Sequence, residues 1–122
     1  MKIERIELRE LHVRLKFRFE TSFGVEQDLR KIILTLHSGG IEGYGECVAG
    51  EVPGYSYETT DTAWDCLTQH IAPLVIGKNF DTPQQLLYAL KFIRGHNMAV
   101  ATLETAFWDA QAKAMNVPLW QL

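Results

Sequence analysis

Apolar residues recur at two different periods in the two halves of this chain. In the first half they alternate. Ile6 and Leu8, then Leu11, Val13 and Leu15, mark a strand over Lys2 to Leu15, and the change of parity between Leu8 and Leu11 predicts a bulge or break near Arg9-Glu10. Alternation resumes from Leu29 to Ser38, where Ile32, Leu34 and Leu36 share one face and Lys31, Thr35 and His37 the other. Ser38-Gly39-Gly40 predicts a turn, and Glu42 to Ala49 a partner strand in a hairpin. In that last strand Gly43 and Gly45 leave one face bare, which permits close approach of a backbone, a helix or an aromatic ring. Two stretches carry no clear period and predict exposed loops: Lys16 to Gln27, with Phe17, Phe19 and Phe23, and Ala49 to Ser56, with its Pro53-Gly54 turn signal.

The second half changes to helical spacing. Ala63, Trp64, Leu67, Ile71 and Leu74 fit one face of a helix capped by Ser56 or Thr59, with Pro73 set to bend or end it and Gly77 to punctuate what remains. Thr82-Pro83-Gln84-Gln85 has an N-cap hydroxyl, a proline at the first helical position and a glutamine three residues after the cap, and Leu86, Leu87, Leu90 and Ile93 then form an apolar face ahead of Gly95. Asn97 is placed to cap a third helix with two apolar stripes. Val100, Leu103, Phe107, Ala110 and Ala114 form one; Met98, Ala101, Trp108, Ala112 and Met115 form the other. Thr102, Asp109, Lys113 and Asn116 make its polar back, and Glu104 and Gln111 fall between the stripes. An ordinary surface helix has one stripe facing one core. The second stripe here calls for more of the same domain, or for a partner outside it. The predicted fold class is α+β, a three-stranded antiparallel meander followed by a three-helix layer.

Composition narrows the function classes. The 122 residues are enough for one domain with a real core, and 47% hydrophobic with 22% charged residues is an ordinary globular balance. A net charge of −3 with interspersed signs offers no basic stripe to nucleic acid or an anionic membrane. No apolar run approaches the ~20 residues of a membrane span, the N-terminus lacks the apolar stretch of a signal peptide, and a cytoplasmic setting is expected. Cys47 and Cys66 lie far apart, outside any CxxC spacing, and are expected as buried thiols. The histidines His12, His37, His70 and His96 show no metal-ligand spacing, and neither phosphate-loop nor nucleophile-elbow motifs occur. Glu46 and Glu104 are the acids best placed for desolvation, but an intradomain ion pair is the commoner arrangement, and neither has a placed partner that would make a mechanism.

Five short motifs in order, with the opening Lys2-Ile3-Glu4-Arg5-Ile6-Glu7-Leu8-Arg9, then Phe19-Glu20-Thr21-Ser22-Phe23-Gly24, Gly43-Tyr44-Gly45-Glu46-Cys47, Pro53-Gly54-Tyr55 and Leu103-Glu104-Thr105-Ala106-Phe107-Trp108-Asp109, resemble the N-terminal capping domain of the enolase superfamily. The likeness covers essentially all 122 residues and is nearest the muconate cycloisomerase subgroup, with its o-succinylbenzoate synthases and N-acylamino acid racemases. It implies a single capping domain over residues 1–122 and a (β/α) barrel, absent from this chain, that carries the catalytic lysines and a divalent metal, Mg in the parent enzymes, stabilising an enolate. No cofactor and no catalytic residue is then expected in this chain. The resemblance assigns Phe19, Ser22, Phe23 and Tyr55 to a lid over a small-molecule carboxylate substrate. Met98, Glu104, Trp108 and Met115 are assigned to the interface with the barrel, and a homo-oligomer is expected of the full-length parent. The rival readings are a free-standing interaction or oligomerisation module and an inactive truncated fragment.

Overall fold

Three antiparallel strands lie in chain order, β1 (Arg5–Thr21), β2 (Gly24–Ser38) and β3 (Ile41–Cys47), in the computed structural model, which describes every residue from Met1 to Leu122. Helices cover one face of this sheet. α1 (Thr60–Asp65), a π-helical stretch (Cys66–Ile71) and α2 (Ala72–Val75) follow one another directly, then α3 (Pro83–Ala89), α4 (Asn97–Ala114) and a closing 3-10 turn, Leu119–Gln121. The α+β order expected from the periodicity is the one observed.

The core lies between sheet and helices. Ile32, Leu34 and Leu36 of the central strand are fully buried, as alternation required, against Leu67, Ile71, Val75, Leu86, Leu103 and Phe107. Each such side chain contributes about 1.5–3 kcal/mol by leaving water. Phe80 meets Phe107 edge to face at 6.5 Å. Ser38-Gly39-Gly40 makes the β2–β3 turn, both glycines having positive φ, and Cys47 and Cys66 are buried free thiols.

β1 departs from expectation in two ways. Its pairing with β2 runs unbroken from Arg5↔His37 to Arg14↔Asp28, so there is no bulge at Arg9-Glu10. The apolar parity changes because the cover changes: Ile6 and Leu8 pack on the core, whereas Leu11 and Val13 lie on the outer face, 41% and 44% exposed. The irregularity falls later, between Arg14 and Phe19, where Leu15 to Arg18 stand opposite Gln27 alone. Second, most of the stretch predicted as a loop over Lys16 to Gln27 is strand, because β1 continues to Thr21 and β2 begins at Gly24. Lys16-Phe17-Arg18-Phe19-Glu20 does alternate, but in an exposed ribbon neither face is core.

α1 starts at a full capping box: Thr59 Oγ1 accepts from the Thr62 N–H at 3.2 Å and Thr62 Oγ1 from the Thr59 N–H at 2.9 Å. Pro73 does not end the helix that follows. The wider π-helical turns stand immediately before it, where proline has no N–H to give, and the helix runs on to Val75. Thr82 caps α3 by accepting from Gln85 N–H at 3.2 Å, while the Gln85 side chain reaches Asp81 N–H at 2.9 Å, one residue earlier than a capping box requires.

α4 fits the sheet as a ridge in a groove. A methyl on Gly43 would come 2.0 Å from the Ala106 carbonyl oxygen, and one on Gly45 2.0 Å from that of Thr102, so both glycines are there for the helix backbone. This places Thr102 in the buried face with Ala99, Leu103, Ala106, Phe107 and Ala110, not on a polar back; its hydroxyl is satisfied by Met98 O at 2.7 Å. Asp109 and Lys113 are polar but engaged. Asp109 accepts from the edge-strand Tyr44 N–H at 2.8 Å, and the Lys113 ammonium donates to Glu42 O at 2.8 Å. Asn97 is not the cap. The preceding His96 is left-handed (φ 47°) and makes no capping bond; the cap comes from Glu58, forty residues away in sequence, whose carboxylate accepts from Met98 N–H at 2.7 Å and Ala99 N–H at 3.1 Å.

Candidate functional site

The two irregular segments come together. At the hairpin tip, Thr21 Oγ1 accepts from Phe23 N–H at 3.2 Å, which turns the chain through Ser22-Phe23 and throws the Phe23 ring outward. The second segment leaves β3 at Cys47 and closes on itself. Gly50 pairs with Thr59, Thr60 N–H donates to Gly50 O at 2.8 Å, and Gly54 N–H folds back to Val52 O at 2.8 Å. Tyr55 stands out from that loop and meets Phe23 edge to face, ring centroids 6.2 Å apart and planes at 86°.

Beneath the pair is an open cleft of about 630 Å³, walled by Phe23, Val25, Val52, Tyr55 and Met98 with Lys31 on its floor. The Lys31 ammonium is held by Val48 O at 3.1 Å and Ala49 O at 3.2 Å. Arg30 anchors the inner end. It forks onto Glu10 at 2.6 and 2.9 Å and reaches Asp61 of α1 at 2.5 Å, tying β1, β2 and α1 together. The Arg30 hydrogen bonds hold the Glu10 carboxyl below the usual carboxylate range, and the two carboxylates raise the guanidinium well above its ordinary value.

The four expected lid residues separate. Phe23 and Tyr55 form the pair, 76% and 86% exposed, and Ser22 lies exposed at the tip beside them. Phe19 does not join them. It sits across from Glu26 and lines a second hollow of about 530 Å³ with Leu15, Phe17 and Leu29, because the residues inserted before it displace its register.

The four interface residues do not form one patch either. Glu104 accepts from the Trp108 indole N–H at 3.4 Å, both half-buried. Met98 packs partly on the core and lines the cleft, while Met115 is 57% exposed beyond the far end of α4. At 1.5 Å per residue the two methionines are roughly 25 Å apart. Glu46 is exposed on the outer face of the edge strand, away from both hollows.

Sequence reasoning missed Glu58, 2% exposed, and the Arg30 fork; both depend on partners remote in sequence, and no local spacing announces them. The cleft joins aromatic and aliphatic walls to a charged lining of Arg30, Lys31, Glu26, Asp28, Glu51 and Glu58, and the helix N–H groups nearest it are already taken by Glu58. No three His, Cys, Asp or Glu side chains are gathered as a divalent ion would need.

Comparison with known proteins agrees over almost the whole chain. Residues 5–122 match the family model described as the N-terminal domain of mandelate racemase / muconate lactonizing enzyme. An N-succinylamino acid racemase of Thermus thermophilus is 46% identical over 122 residues, covering 100% of this chain and 33% of the relative. An o-succinylbenzoate synthase of Geobacillus kaustophilus is 42% identical over 120 residues, covering 98% and 32%. A solved enolase-superfamily member from Listeria innocua superposes with a TM-score of 0.93 at 30% identity, over 99% of this chain and 33% of its own. The chain thus spans about a third of the length of the relatives it matches.

Proposed function

From the premise that the chain belongs to the mandelate racemase / muconate lactonizing enzyme N-terminal domain family, we propose that it is the substrate lid and docking domain of an enzyme like the o-succinylbenzoate synthases and N-acylamino acid racemases. The observation that carries this reading is the Phe23–Tyr55 pair. Two large rings from separate segments meet over a cleft while most of their surface faces solvent, an arrangement that gains its energy when a further apolar group closes against it. Such a lid excludes water and supplies binding energy to an acyl or aromatic group; the proton transfer belongs to the barrel half, whose divalent metal supplies enolate stabilisation when bound. On this reading Glu104 and Trp108 contact the barrel, and a small carboxylate is the substrate class.

The test is complementation. This chain is joined to the barrel half of the Thermus N-succinylamino acid racemase and assayed for N-succinylamino acid racemisation and o-succinylbenzoate formation. Metal-dependent turnover is expected. Phe23→Ala and Tyr55→Ala should each cost about 10- to 100-fold in kcat/KM, or about 1.4–2.8 kcal/mol, the share of a ring's burial that truncation removes. Melting temperatures should not change, since both rings are exposed. Turnover indifferent to both substitutions would overturn the lid. No turnover, with tight self-association of the chain in ultracentrifugation, would favour the interaction-module reading instead.

A further inference from the structure

Glu58 is a buried acid to which neither the lid nor the docking surface assigns a role. It lies at the foot of the Gly50–Thr59 loop, three residues beyond Tyr55, and both its oxygens are spent on the first turn of α4, at Met98 N–H and Ala99 N–H. The ring of its neighbour Tyr57, largely exposed, packs against the same place. A methyl on Gly95, which precedes α4 with φ 65°, would lie 3.0 Å from the Tyr57 hydroxyl, so the phenol rests on that turn. His96, left-handed and without a capping bond of its own, leaves the helix N-terminus open to this outside carboxylate. The loop is therefore held at two points. Gly50 is bonded to Thr59 and Thr60 at the start of α1, and Tyr57-Glu58 is clasped to the start of α4. Met98, whose N–H the carboxylate takes, also lines the cleft under Tyr55.

We propose that Glu58 is a positioning residue: by clasping the first turn of α4 it holds the Val52–Tyr57 segment where Tyr55 meets Phe23. The bonds from two helix N–H groups to this carboxylate are charge-assisted and reinforced by the helix dipole. The lid and the helix of the docking surface then move as one body. The consequence for substrate binding rests on the lid reading; the mechanical coupling does not.

Amide hydrogen exchange of the full 122-residue chain tests the coupling without a mutation. Under rising denaturant, Gly54 and Glu58 N–H of the loop and Met98 and Ala99 N–H of α4 should converge on one opening free energy and one denaturant slope, as members of a single cooperative unit do. Loop amides that exchange independently of denaturant while the α4 amides stay protected would overturn the proposal. Glu58→Gln keeps the size but halves the acceptors. It should speed exchange of the Gly54 amide at least tenfold and abolish the Phe23–Tyr55 ring contact in NOE spectra, with Ile32, Leu34 and Leu36 amides unchanged. Acceleration confined to Met98 and Ala99, with the ring contact intact, would show a helix cap and nothing more. If the coupling fails while Tyr55→Ala still costs turnover, the lid stands without Glu58. If the coupling holds and the aromatic truncations cost nothing, Glu58 positions a loop that is not a lid.

Discussion

Replacing Gly45 by alanine tests the most demanding contact in the fold. The added methyl would lie 2.0 Å from the Thr102 carbonyl oxygen and 2.9 Å from Thr105 Oγ1. Ordinary contact needs ~3.5 Å, so α4 must retreat by roughly 1.5 Å or the strand must bend. The obstacle is helix backbone, which cannot rotate aside as a side chain would. Retreat opens a gap along Ala99, Thr102, Leu103, Ala106, Phe107 and Ala110, and a radial gap of ~0.5–1 Å already forfeits a quarter to a half of each dispersion well. It also pulls Asp109 from the Tyr44 N–H and Lys113 from Glu42 O. Overpacking commonly costs about 1–3 kcal/mol; a backbone obstacle places Gly45→Ala at about 3 kcal/mol or more. For a domain of this size that is a fall in Tm of roughly 12 °C.

Gly43→Ala meets the same obstacle at Ala106 O, 2.0 Å, and should cost a similar amount. The double variant should cost less than the sum, because one displacement of α4 relieves both clashes. Gly54→Ala is the control, its methyl meeting nothing nearer than Val52 Cγ2 at 4.0 Å. The assay is thermal and urea denaturation followed by far-UV circular dichroism. A loss below about 1 kcal/mol for Gly45→Ala would refute the close approach of helix and strand, as would full additivity of the pair.

Two further predictions concern titration and thiol chemistry. Arg30 depresses the folded-state pKa of Glu10 below 4.5, so the stability it contributes is present above pH 4.5 and lost as pH falls through the folded value; Arg30→Gln should flatten the decline of Tm with acidification, and an unchanged slope would remove Glu10 from the acid limb. Burial pushes the Cys66 thiol up, with the charges of Glu58 and Asp65 adding to it, and Cys47 is equally enclosed. At pH 8 both should react with a disulfide reagent only at the rate of unfolding; rapid labelling of the native chain would show the π-helical segment to be open.

What could be read from the chain depended on how far apart the interacting residues lie. The β2–β3 hairpin, the caps at Thr59 and Thr82, and the bare glycine face of β3 each follow from neighbours within a few positions. The distal β1–β2 ribbon does not announce itself as strand, because alternation signals a strand only when one face is core, and Phe17, at 84% exposure, has no core beneath it. The α4 cap departs from the expected Asn97 for a related reason. Local preference favours Asn at a helix start, but His96 takes the left-handed turn, and the carboxylate that satisfies the N–H groups comes from across the fold. Pairing Phe23 with Tyr55, and parting Phe19 from both, required the register shift after Arg14, which no single-strand pattern contains.

That distinction changes what the two-striped helix means. The spacing predicts a continuous second face from Met98 to Met115, yet Met98 is partly buried at the cleft and Ala112 is buried, so the exposed Ala101 and Thr105 around the Glu104–Trp108 pair are parted from the exposed Met115. One flank of the helix is occupied by the β3 edge, through Asp109 and Lys113, and its N-terminus by Glu58. On the docking reading, then, a barrel cannot engage α4 along one apolar seam. It must meet a compact amphipathic spot centred on Trp108, whose indole N–H is already satisfied by Glu104 and whose ring needs only apolar cover. If the proposed Glu58 clasp holds, pressure at that spot would bear on the segment that carries Tyr55, and docking and lid closure would be coupled through one helix and one carboxylate.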